Sequence, residues 1–176
     1  MNFEPEHWMQ FALQLAENAS GSDEVPIGAL LIQEDRILGR GANTRERSQR
    51  TLAHAEILAL EDYHSNHLSW RLPENVTLVS TVEPCLMCTG ALLNARVENI
   101  FFGCSDPKNA GLLRMLPLIE EGVFDHRFKT VRGGILADSC GEILSEFFRR
   151  KRRLEGPRYT YVPSDLHEIT ADPQIG

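Results

Sequence analysis

The sequence predicts an α/β fold, a layered sheet covered by helices on both faces, and three observations carry that prediction. Strand-like apolar stretches alternate with stretches of helical periodicity along most of the chain. One strand-like stretch, residues 97–103 with Ile100, Phe101 and Phe102, is apolar enough to be buried on both faces. The 176 residues contain no internal repeat and no interdomain linker. They fit one domain that buries about 70% of its unfolded surface.

Residues 5–19 place Trp8, Met9, Phe11, Ala12, Leu15 and Ala16 at helical spacing, which predicts the first helix. Residues 27–32 and 36–41 read as two short strands around Gln33-Glu34-Asp35, a hairpin. Ile57, Leu58 and Leu60 make residues 53–63 a helix, and Val76, Leu78 and Val79 make residues 75–82 a strand. Pro84 then stands where proline is tolerated, at a helix start, and residues 85–95 continue as that helix. After strand 97–103 come a short helix at 112–120, a strand near 128–131 and a long helix from 138 to about 153. Residues 156–176 hold Pro157, Pro163 and Pro173 and little apolar periodicity. The domain is therefore expected to span 1–155 and to end in a loosely held tail, 156–176.

Hydrophobic content of 42% and charged content of 24% are those of an ordinary soluble protein. The N-terminus lacks a basic, then apolar, leader pattern, and no apolar run approaches the ~18 residues of a membrane span. A cytoplasmic protein with no membrane partner is the expectation. The net charge of −7 disfavours general polyanion binding. The charge is uneven, however. Arg149, Arg150, Lys151, Arg152 and Arg153 run unbroken after Phe147 and Phe148, so an acidic body carries a basic C-terminal strip. Cations are favourable at any helix C-terminus, so the strip reads equally as a solvated helix end or as a polyanion contact. Cys104 and Cys140 read as small buried hydrophobes, not as a disulfide.

The chemistry concentrates in His54-Ala55-Glu56 and, after a strand, Pro84-Cys85-Leu86-Met87-Cys88. One imidazole and two thiolates suit a tetrahedral Zn²⁺ whose fourth position stays open for water. Glu56 then reads as the base that deprotonates that water, with a fourth ligand as the alternative. A lone Cys-x-x-Cys is often a redox pair and a lone His-x-Glu is usually without meaning; together they point to a metal centre. Both segments fall at predicted helix starts, where N–H groups and the dipole favour thiolates. In mid-helix, residues i and i+2 point about 200° apart. His54 and Glu56 can converge only where the chain is entering the helix. The pattern His-x-Glu followed by Pro-Cys-x-x-Cys is the signature of zinc nucleobase deaminases.

On these motifs the chain resembles the bacterial tRNA adenosine deaminases of the cytidine-deaminase-like superfamily, from about Glu6 to Arg153. The resemblance includes Glu24-Val25-Pro26-Ile27-Gly28-Ala29, Ala53-His54-Ala55-Glu56, Thr81-Val82-Glu83-Pro84-Cys85, Phe102-Gly103 with Asp106, and Gly134-Ile135-Leu136-Ala137-Asp138. It implies a three-layer α/β/α fold with a central five-stranded mixed sheet, a homodimer, and inosine formation at the wobble adenosine of a tRNA anticodon stem-loop. By motif position it implies that Asn43 hydrogen-bonds the flipped base and Val25 lines its pocket. Asp106 and Lys108 would touch the anticodon backbone, and Phe148, Arg149, Arg152 and Arg153 the stem-loop. Gln49-Arg50-Thr51-Leu52 stands where the family usually has Asp-Pro-Thr, and Asn109-Ala110-Gly111-Leu112-Leu113-Arg114 replaces a loop of small residues. Adenine, cytosine and guanine all carry an amine on a carbon beside a ring nitrogen, so the metal core alone does not choose among them. A guanine or cytosine deaminase acting on free base or nucleoside is the alternative. A non-catalytic zinc-stabilised RNA-binding module is disfavoured by the intact Glu56.

Overall fold

Pro5 opens the first helix, α1 (Pro5–Gly21), at a position where its missing N–H leaves nothing unpaired. The computed structural model describes residues 3–67, 69–106 and 111–155. The predicted tail, 156–176, and Lys108 lie outside the described residues. After α1 come β1 (Gly28–Gln33), β2 (Arg36–Ala42), α2 (Arg45–Ser48), α3 (Ala55–Asn66), β3 (Thr77–Val82) and α4 (Leu86–Asn94). They are followed by β4 (Asn99–Cys104), α5 (Leu112–Glu120), β5 (Thr130–Arg132) and α6 (Ala137–Glu155).

β1 and β2 form the predicted hairpin, turning on Glu34 and Asp35, with Glu34 in the left-handed region at φ 53°. Leu31 pairs with Gly39 and Ile32 with Ile37, so Leu38 is an extra residue that bulges β2. β1 is antiparallel to β3, while β4 is parallel to both β3 and β5; the sheet order is β2-β1-β3-β4-β5. Parallel neighbours need crossovers, which α4 and α5 supply. The sheet is five-stranded and mixed, as the resemblance implies.

Successive strand residues feed two different cores. Ala29, Leu31, Leu78, Ile100 and Phe102 are buried with Ala59 and Tyr63 of α3, Leu92 of α4 and Leu112 of α5. Leu30, Ile32 and Val79 are buried with Trp8, Met9 and Ala12 of α1 and Cys140 of α6. A helical layer covers each face, which makes the architecture α/β/α. Cys104 and Cys140 are free thiols; Cys140 is buried as expected, whereas Cys104, at the end of β4, is half-buried. None of the described helices is long and apolar enough to cross a membrane.

The observed elements differ from the predicted ones mainly at their ends. α3 and α4 start after His54 and Cys85, because both residues are extended and stand outside the helices they introduce. The last strand is Thr130–Arg132, two residues later than predicted; Phe128 packs on the core from outside it. The four-residue α2 is not predicted, since none of its residues is buried and no apolar periodicity marks it.

One edge of the sheet collects the ends that matter. Residues 25–27 enter β1 there, Asn43 leaves β2, residues 83–85 leave β3 and Asp106 follows β4. This is the crevice beyond the carboxyl ends of the parallel strands, where open α/β sheets bind ligands. Gly41 sets the depth of that crevice on one side. A Cβ there would stand 1.9 Å from the Ala55 carbonyl oxygen, in the first turn of α3. Gly41→Ala is therefore expected to push α3 off the sheet and to destabilise the fold by about 1–3 kcal/mol, as overpacking does. Thermal unfolding checks this, and a midpoint equal to the parent's would show that α3 yields without loss.

Candidate metal centre and active site

α3 and α4 are aimed at one another through their first residues. His54 is the N-cap of α3 (φ −79°, ψ 151°) and Cys85 the N-cap of α4 (φ −68°, ψ 172°). Both are extended, so their side chains leave the helical course and meet. Cys88 follows on the first turn of α4 and is fully buried. Cys85 Sγ lies 3.6 Å and Cys88 Sγ 3.7 Å from His54 Nδ1. The three ligand atoms lie within 4.8 Å of one another.

These separations fit a tetrahedral ion. With Zn–N of about 2.1 Å and Zn–S of about 2.3 Å at tetrahedral angles, nitrogen and sulfur stand about 3.6 Å apart. Glu56 is not a member of this ligand group among the described residues. It sits on the first turn of α3, one residue after Ala55, with 4% of its surface exposed.

The groups set each other's protonation. Cys85 is lowered to about 4, chiefly because it accepts a hydrogen bond from Cys88 and then because His54 faces it. Cys88, which holds the shared proton, is raised well above the usual thiol range by the same contact and by burial. His54 is raised by its hydrogen bond to Cys85. Glu56 is raised to about 7, first by burial and then by the neighbouring Cys85 charge. The carboxyl is thus poised to take or give a proton near neutrality.

A cleft of about 460 Å³ opens over these groups. His54, Glu56, Cys85, Val25, Asn43, Asp106 and Phe148, all singled out from the sequence, line it together. Arg149, Arg152 and Arg153 do not; they are exposed on the last turns of α6, where Arg149 and Arg153 line a separate cleft beside Ser20. The basic strip is also divided. Arg150 and Lys151 pair with Asp23 at the end of α1, and Arg150 lies over the buried Phe147 ring. Three other histidines stand against backbone carbonyls: His64 beside those of Leu60 and Trp70, His67 beside that of Tyr63 and His126 beside that of Val97.

Sequence reasoning missed Arg45, Glu46 and Leu144, which complete the cleft wall. The signal for Arg45 was its place two residues after Asn43; for Leu144 there was none, since α6 reaches the cleft only through tertiary packing. In the divergent segment before His54, Gln49 ends α2 in the left-handed conformation (φ 52°) and Arg50 pairs with Glu61 at 2.8 Å.

Residues 3–152 match the MafB19-like deaminase family model. A tRNA-specific adenosine deaminase of Bacillus subtilis is 41% identical over 148 residues, covering 84% of this chain and 91% of the relative. A solved structure from studies of A-to-I editing by tRNA:A34 deaminases at the wobble position superposes with a TM-score of 0.71. It is 33% identical and covers 78% of this chain and 99% of that one. A guanine deaminase of Nitrosomonas europaea shares the fold at a TM-score of 0.70 and 24% identity, over 84% of this chain and 86% of that one. These matches agree with the candidate metal-ligand triad and the buried carboxyl beside it: the chain belongs to the deaminase family of the bacterial tRNA-specific adenosine deaminases.

Proposed function

We propose that this enzyme converts adenosine to inosine at the wobble position of a tRNA anticodon by zinc-dependent hydrolysis. The observation that carries the reading is the convergence of His54, Cys85 and Cys88 with the buried Glu56 on one cleft whose outer wall holds Val25, Asn43, Asp106 and Phe148. Relatives and a solved structure named for tRNA adenosine deamination support it.

Zn²⁺ held by these three side chains would keep a position for water and lower its pKa to about 7. The chain's own residues do the rest. Glu56 takes the water proton and delivers it to the ring nitrogen beside the amine-bearing carbon. It then takes the remaining proton of the added hydroxyl and passes it to the departing amine as the carbon–nitrogen bond breaks and the carbonyl forms, so that water and adenosine become inosine and ammonia. Asn43 and Val25 hold the base, and Asp106, Lys108 and Phe148 meet its flanking nucleotides. Arg149, Arg152 and Arg153 supply cations along α6 for the stem-loop phosphates. An anticodon loop suits such a cleft because its bases are partly unstacked, which reduces the few kcal/mol needed to flip one out. Exposed Leu113, Leu118 and Val123, on and after α5, offer apolar surface to a second copy and support a homodimer. A tRNA substrate supports a cytoplasmic location.

Purified protein should carry one zinc per chain, and Cys104→Ser and Cys140→Ser should both retain it. Full activity with a metal content near zero would overturn the zinc assignment. Glu56→Ala should keep the fold and the zinc while turnover falls ~10⁴-fold, the upper end for proton transfer, because one group serves two transfers. Loss of the metal in that variant would instead make Glu56 a ligand. Replacing Arg149, Arg152 and Arg153 by Gln should raise KM for tRNA, and the slope of log affinity against log salt should shrink by about 0.7–0.9 per lost phosphate contact. Turnover at saturating RNA should stay near the parent's. Unchanged salt dependence would make these arginines a solvated helix end, and conversion of free guanine or cytosine with tRNA left untouched would replace the tRNA reading.

A further inference from the structure

Glu24 is 1% exposed and takes no part in metal binding or proton transfer as assigned above. Its carboxylate gathers three N–H donors. Asn43 Nδ2 donates to Oε2 at 3.3 Å and the Glu46 backbone N–H to the same oxygen at 3.1 Å, while the Arg47 backbone N–H donates to Oε1 at 2.5 Å. Glu46 and Arg47 are the second and third residues of α2, whose own N-cap, Thr44, makes no side-chain cap. A four-residue helix with no buried residue forms too few bonds to stand alone. Glu24 supplies the missing cap from the segment before β1. One carboxylate therefore fixes both the Asn43 amide and the start of α2, two neighbouring parts of the cleft wall.

The same contact settles which way Asn43 points. A carboxylate only accepts hydrogen bonds, so the NH₂ group of Asn43 faces Glu24, and Oδ1 with the second N–H is left for the cleft. A planar amide offering one acceptor and one donor is matched to the edge of a purine, and reversing it exchanges the two.

We propose that Glu24 is the positioning residue for Asn43, setting which amide atom meets the base and so which base the cleft accepts. The proposal rests on the reading above only for the identity of that base. A double-mutant cycle tests it: Glu24→Gln, Asn43→Ala and the pair, with kcat/KM, KM and zinc content measured on an anticodon stem-loop carrying a wobble adenosine. Gln keeps one accepting oxygen and turns an NH₂ group on the remaining N–H donors, so it cannot hold the Asn43 NH₂ group and both α2 N–H groups at once. Alone, Glu24→Gln should lower kcat/KM about 10- to 100-fold, the range for losing a hydrogen bond to a charged group, with zinc content unchanged. In the Asn43→Ala background it should cost less than about twofold, because its effect passes through the amide already removed. Equal losses in both backgrounds would overturn the proposal and leave Glu24 a buttress of α2. Glu24→Asp, which keeps both accepting oxygens on a shorter arm, enters the same cycle should the Gln variant not fold. A parent inactive on adenosine but active on guanine would overturn the adenosine reading alone, and the cycle run on guanine would still decide the role of Glu24.

Discussion

Two helix N-termini pointing at one place are the constraint on which this structure depends. Each carries roughly half a positive charge, so α3 and α4 would repel unless negative charge lay between them. Cys85, held as a thiolate, and the carboxyl of Glu56 occupy that gap. The extended conformations of His54 and Cys85 turn the side chains inward before each helix begins. A metal cation adds its own charge to the same focus, and with it both thiols are expected as thiolates. The fold serves this meeting: β3 delivers Cys85, and Gly39 and Gly41 in β2 let α3 settle against the sheet.

Depth in the cleft sorts the chemistry. At its floor Glu56 is buried and its proton affinity is high, which suits a group that must both take and return a proton. At the rim stand Arg45, Asp106 and Phe148, polar, charged or aromatic groups that can meet nucleotides flanking a flipped base. An acidic protein can hold a polyanion only by concentrating cations locally. The last turns of α6 supply Arg149, Arg152 and Arg153, while Arg150 and Lys151 are drawn back to Asp23 and fasten α6 to α1. The basic run thus divides into a structural part and a surface part.

What the sequence made legible is what short-range covalent spacing controls. His-x-Glu and Cys-x-x-Cys at two helix starts are local facts, and their joint chemistry pointed to the candidate ligand set whose atoms the fold brings within 4.8 Å of one another. The alternation of apolar segments gave the layered class for the same reason. Strand order was not legible from periodicity, because β1 lies between β2 and β3 through pairings that no local pattern encodes. α2 escaped notice because its cap comes from Glu24, 22 residues before Glu46 in sequence. The split of the basic strip depends on an acid 128 residues from Lys151. In each case the deciding partner is distant along the chain, where residue spacing carries no signal.

Choice of base has to reside in that same long-range part of the structure. A guanine deaminase at 24% identity shares the scaffold, so the scaffold does not by itself distinguish purines. In the proposed reading, the buried metal-binding and acid–base groups would treat any amine beside a ring nitrogen alike. In that reading, selection is left to cleft residues at the strand ends: Val25 before β1, Asn43 after β2 and Asp106 after β4. Such segments tolerate change while the sheet and the metal centre stay fixed. The Asn43 amide is tied to a buried carboxylate and cannot be altered independently of α2. A substitution at Glu24 or in residues 43–47 therefore acts on substrate choice and on the cleft wall together.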